Sequence, residues 1–217
     1  MLVFGLVLAG LTLPWGQFSV AAPVSIPIKI SNQNRITFSL PYTMGTHVGK
    51  VTRLETGSVF WDKDSRSLDG LELSFRVADI EMDGAKLKCH MRESLELDYE
   101  SSGFPESHVC VDDRLPNEGP DSSRYPGVRF KSRTAEVLSL SRSAEKPRNL
   151  KGELNLHGVS REVTLLITDL KEEPGRIHIK GRLLVPLRNF GITVKPFLFV
   201  TVADEASVEW DLALELP

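Results

Sequence analysis

Side chains alternate between apolar and polar with a period of two along most of this chain. Ile36, Phe38 and Leu40 fall on one side of an extended segment, with Arg35, Thr37 and Ser39 on the other. The pattern returns at Leu71, Leu73, Phe75 and Val77, at Leu150, Gly152, Leu154 and Leu156, and at Val163, Leu165 and Ile167. Two later runs repeat it: Ile177, Ile179, Gly181, Leu183, Val185, then Val208, Trp210, Leu212, Leu214. A period of two belongs to strands with one face buried and the other wet, which is the habit of an antiparallel sheet. The intervening stretches lack a comparable helical stripe, which disfavours parallel βαβ units.

Turn residues separate the runs: Lys63-Asp64-Ser65, Asp83-Gly84, His157-Gly158-Val159-Ser160 and Glu173-Pro174-Gly175. Strands joined by such short turns make a sandwich or a barrel. Gly152 and Gly181 lie on the inward faces of their runs and favour the barrel, because a glycine lets a strand bend or leaves room inside it.

One segment departs from the period. Leu87, Met91 and Leu95 stand at helical spacing between charged residues, so a short helix is expected from Ala85 to Glu96, lying over one mouth of the barrel. The segment after it is polar and turn-rich, and reads as a loop insertion at about 101–124. The only cysteines are Cys89 and Cys110. In an exported chain an even count reads as one disulfide, which would tie the loop back to the helix and close a ring of about 20 residues. Two free thiols are the other reading.

Export is expected from the amino-terminal residues. The first 28 carry no charge, Leu2 to Pro14 is apolar, and the small residues Ser19 and Ala21 suit cleavage after Ala21. That divides the chain into a signal peptide, 1–21, and one domain, 22–217, in the periplasm or secreted. The apolar run is shorter than the roughly 20 residues that cross a bilayer, so no transmembrane segment is expected in the mature chain. Net charge is −3, with no basic stretch of the kind that binds nucleic acid.

Four motifs then resemble those of the YceI-like family. Tyr125-Pro126-Gly127-Val128-Arg129-Phe130-Lys131-Ser132 is similar to its tyrosine-proline-x-aliphatic-x-phenylalanine-x-serine strand. Leu150 to Leu165 is similar to its glycine-x-leucine-threonine strand pair, His90-Met91-Arg92 to its helix, and Asn189-Phe190-Gly191-Ile192 to its aspartate-phenylalanine-glycine-isoleucine strand. Leu40 to Gly49 stands in the place of its early strand and turn, so the resemblance runs from about Pro27 to Leu216. It implies an all-β fold: an extended, antiparallel, eight-stranded, lipocalin-like barrel with one short helix at its mouth and a tunnel for polyisoprenoid lipid. Leu87-Lys88 and Asn189 depart from the family pattern near that mouth, which bears on which ligand is taken.

By strand parity Phe38, Phe75, Phe130, Leu154, Val163, Ile179, Leu183, Phe190 and Trp210 should point inward. They would line the tunnel, or simply fill a core, since barrels of this size do either. His90 and Arg92 lie on the mouth helix and would meet a polar or phosphorylated head group, guanidinium being suited to phosphate. Equally, Arg92 would pair with a neighbouring carboxylate and His90 would pack the helix.

His47, His90, His108, His157 and His178 form no close His pair or carboxylate set, so no metal is expected. No G-x-S-x-G, H-E-x-x-H or P-loop motif occurs, so catalysis is not expected either. The expected function is binding of an apolar, isoprenoid-like lipid of polyprenyl or quinone type, with no other cofactor. An interaction module with a filled barrel, docking through the 101–124 loop, is the alternative. An enzyme acting on a lipid head group is a third reading. A homodimer or an envelope protein partner stays open.

Overall fold

The computed structural model describes residues 22–97, 122–132, 138–139, 147–193 and 201–217. They form twelve strands: β1 (Val24–Pro27), β2 (Arg35–Tyr42), β3 (Gly45–Val51), β4 (Thr56–Asp62), β5 (Ser67–Arg76) and β6 (Ile80–Met82), then β7 (Gly127–Ser132), β8 (Leu138–Ser139), β9 (Arg148–Leu156), β10 (Val159–Glu173), β11 (Arg176–Pro186) and β12 (Glu205–Glu215). One α-helix, α1 (Ala85–Glu96), and two 3-10 turns, Val77–Asp79 and Leu187–Phe190, accompany them. The expected signal peptide at 1–21, and Cys110 with most of its loop, lie outside the described residues.

Every strand pairing among the described residues is antiparallel, the arrangement that strands with one buried and one wet face favour. Twelve delimited strands replace the eight expected, and the excess has a physical origin. β3 and β4 are one bent strand, and β5 and β6 are another, interrupted by the turn at Val77–Asp79. Val51 pairs with Ile80 and Thr56 with Ser74. Across the gap Thr52 N–H donates to Asp79 O and Glu55 N–H to Ser74 O, both at 2.8 Å. Counted that way, the pairings run from β2 through β3–β4, β5–β6, β7, β9, β10, β11 and β12 back to β2, a closed circuit of eight. β1 adds to β4 and β8 to β5 outside that circuit.

The hairpin turns hold the register. Leu156 pairs with Val159 across a two-residue turn in which His157 and Gly158 both take positive φ, at 52° and 72°. That is the twist a tight hairpin needs. At the next corner Pro174 precedes Gly175, which sits at φ 75°, so proline and glycine meet the demands of successive turn positions.

The barrel has a filled end and an open one. At the filled end Trp61, Leu68, Leu71, Leu165, Ile167 and Leu212 are almost fully buried, and Ile26 of β1 packs with them. The two inward glycines make room here for side chains. A Cβ on Gly152 would collide with the Phe130 ring, and one on Gly181 would crowd Leu165 and Ile167. The space each glycine leaves is therefore occupied by the protein itself.

Candidate functional site

The opposite half of the barrel encloses a cavity. Its wall is built by Phe38 of β2, Leu73 and Phe75 of β5, Phe130 of β7, Leu154 of β9, Leu183 of β11, and Val208 and Trp210 of β12. The cavity has a volume of about 210 Å³. Apolar walls on converging strands of a barrel are the ordinary setting for one slender ligand.

Helix α1 lies over the mouth. Two residues separate it from β6, the second being Gly84 at φ 102°, and it ends where Leu97 turns extended. Leu87, Met91 and Leu95 border the cavity, so the helical stripe read from the sequence is the face turned to the lumen. The opposite face is the buried one, and carries Cys89, Glu93 and Glu96. An α-helix with a buried acidic face and a half-buried apolar one is held in place from both sides.

Six of the nine expected tunnel residues border this cavity: Phe38, Phe75, Phe130, Leu154, Leu183 and Trp210. Phe130 and Trp210 meet edge to face, with ring centroids 6.3 Å apart. The other three do not border it. Ile179 keeps the inward parity but stands at the filled end, between Leu170 and Leu212 on the neighbouring strands. Val163 pairs with Gly152, whose open side the Phe130 ring already covers. Phe190 belongs to a 3-10 turn, where strand parity no longer applies; it is buried elsewhere, and Ile192 lines the cavity instead.

The two mouth residues separate. His90 borders the cavity, and its Nδ1 lies 2.8 Å from Glu93 Oε2. Arg92 does not border it: its Nε donates to Glu96 Oε2 at 2.7 Å, with the Glu96 side chain fully buried. The guanidinium is thus engaged by a carboxylate on the helix face turned away from the lumen. Spacing along α1 explains the division, because residues 90 and 92 are two apart and cannot share a helical face.

Sequence reasoning treated His47 only as a metal candidate, yet it borders the cavity. It stacks on Tyr42 with centroids 4.2 Å apart and planes at 5°. Burial lowers its pKa below the usual histidine range. His157 has a different part. Its Nε2 lies 2.7 Å from Leu97 O and its Nδ1 3.1 Å from Phe190 O, joining the end of α1 to the Leu187–Phe190 turn. The signal for this was its place in a two-residue hairpin, but its distant partners could not be read from spacing. Among the described residues no group of three His, Cys, Asp or Glu side chains gathers as a metal site. Nor is any helix among them long and apolar enough to cross a membrane.

Residues 29–214 match the family model of the YceI-like domain. The solved structures similar to this chain include BcnA from Burkholderia cenocepacia, at 13% identity and a TM-score of 0.57, covering 86% of this chain and 99% of that one. A polyisoprenoid binding domain from Saccharophagus degradans, implicated in plant cell wall breakdown, is 11% identical with a TM-score of 0.51, covering 90% of this chain and 99% of its own. At such identities the likeness is one of fold. No curated protein sequence matches this one.

Proposed function

This chain belongs to the YceI-like domain family, and from that premise we propose that it carries an apolar, isoprenoid-like lipid of polyprenyl or quinone type without altering it covalently. The observation that carries the reading is the division of the barrel into a filled end and an apolar cavity opening beneath α1. A solid core needs no such space. An isoprenoid tail entering it would be stabilised by about 25 cal/mol for each Å² of apolar surface removed from water, with no charged partner along its length. The polyisoprenoid-binding relative from Saccharophagus degradans supports the same class of ligand.

The protein works in this reading as an exported carrier of the cell envelope. Residues 1–21 are removed, and Cys89 is bridged to Cys110 so that the loop after α1 is tied to the mouth helix. Phe38, Phe75, Phe130, Leu154, Leu183 and Trp210 hold the tail, and His90 stands where the head group would be.

The test is to extract lipid from the purified protein and weigh the intact complex by native mass spectrometry. One apolar molecule per chain is the expected result. A barrel that is reproducibly empty and refuses added isoprenoids would remove this function and leave docking through the 101–124 loop in its place.

A further inference from the structure

A second concavity, of about 540 Å³, lies on the outside of the barrel across β4, β5, β7 and β9. Outward-facing polar side chains make its floor. The hydroxyls of Thr56 and Ser74 meet at 2.8 Å, and Arg129 Nη2 donates to Glu72 Oε1 at 2.5 Å. Charge is divided along this groove. Its carboxylates, Glu55 and Glu72, come from the β4–β5 side, and its guanidinium groups, Arg124 and Arg129, from β7 and the residues before it. Glu72 and Arg129 answer each other, whereas Glu55 and Arg124 are exposed on the groove. Both of these stand on fixed backbone: Glu55 N–H donates to Ser74 O at 2.8 Å, and Arg124 N–H to Glu96 O at 2.7 Å. β5 lies between β4 and β7, which are therefore about 10 Å apart.

Gly127 of β7 borders the same groove. A Cβ there would stand in open space among the described residues, and its φ lies outside the left-handed region. Neither packing nor backbone conformation calls for a glycine, which weakens a strand; a bare position of this kind suits the close approach of another molecule to the backbone. A ligand that matches the groove carries a cation at one end and an anion at the other. A single amino acid holds both charges on one carbon, too close to reach both sides. An extended peptide of two or three residues spans about 7–10 Å. We propose that the groove binds short peptides by their two free ends, the ammonium against Glu55 and the carboxylate against Arg124, whose planar fork suits it. This site is separate from the lipid cavity and does not depend on the function proposed above.

Trialanine is the probe, titrated calorimetrically into the purified full-length protein. One site is expected, with an affinity that falls as salt is raised. Acetylating the amino end of the peptide, or amidating its carboxyl end, should each weaken binding by about tenfold. Arg124→Gln should erase the difference between trialanine and its amide while keeping that between trialanine and its acetylated form. Glu55→Gln should do the reverse, a pairing of variant with blocked end that a merely structural role would not produce. Gly127→Val should fill the floor and remove binding, with a thermal unfolding midpoint that is native or higher. Failure of trialanine to bind the native protein, or equal binding of the free and blocked peptides, would overturn the proposal.

Discussion

The ring of Phe38 occupies the place where a side chain at Gly49 would begin. The two residues face each other across β2 and β3, and an ideal Cβ on Gly49 would overlap the Phe38 ring. Phe38 also borders the cavity. The absence of a side chain at Gly49 therefore sets how far an aromatic wall residue can lean away from the lumen.

Gly49→Val should push that ring into the cavity. Crowding a packed site typically costs about 1–3 kcal/mol, which urea denaturation would register. Lipid occupancy, read by extraction, should fall with it. A variant with native stability and native occupancy would mean that the ring has another place to go.

Filling the two ends of the barrel should have opposite consequences. Val208→Trp enlarges a wall residue that is only partly buried and faces the cavity. It should cost well below the 1–3 kcal/mol of ordinary overpacking, yet reduce lipid binding by about tenfold or more. Leu165→Ala removes a fully buried side chain from the filled end. It should cost about 2–5 kcal/mol and leave binding nearly intact. If Val208→Trp unfolds the protein as Leu165→Ala weakens it, the cavity is not the open space described.

Strand parity made most of this architecture legible, because a period of two is a local property that any single strand declares. It located Phe38, Phe75 and Trp210 on the inner face without reference to their neighbours. Parity does not say how far along the barrel a residue stands, so it groups Ile179 with the tunnel although that residue belongs to the filled end. It also fails where the backbone leaves the strand, which is why Phe190 and Ile192 exchange places. The inward glycines carried an ambiguity of their own. Gly152 and Gly181 do mark empty volume beside the backbone, but Phe130, Leu165 and Ile167 come from other strands to use it. Bent strands were the other illegible feature: the breaks at 52–55 and Val77–Asp79 interrupt the ladders without changing the order of the circuit.

The contacts of His157 give a prediction about the mouth alone. Both ring nitrogens lie on backbone carbonyls, Leu97 O at the end of α1 and Phe190 O in the neighbouring turn. A neutral imidazole has one N–H to give, so removing it takes a donor from one of these buried oxygens, at about 1–3 kcal/mol for the group left unsatisfied. Asparagine tolerates the positive φ that His157 adopts, so His157→Asn isolates the loss of the side chain from backbone strain. Amide hydrogen exchange should accelerate across residues 85–97 and 187–190 while β10 and β11 at the filled end keep their protection. Uniform acceleration through the barrel would show that His157 supports the whole fold rather than the seat of the helix.

His47 ties stability to pH in a direction that can be worked out. Burial favours its neutral form and lowers its pKa in the folded protein. In the unfolded chain the same ring takes up a proton near its ordinary value of about 6.5. Between the two values the unfolded state binds more protons than the native state, so stability rises with pH through that window. The contribution is fully present above the ordinary value and is lost as pH falls below it. A lipid in the cavity would shield the ring further, lower its pKa again, and so bind more weakly in acid. Imidazole resonances followed by NMR with and without geranylgeraniol should show both displacements, and His47→Gln should flatten the slope of stability in the same window. A ring that titrates at its ordinary value in empty and loaded protein alike would show that burial at the mouth does not govern its proton.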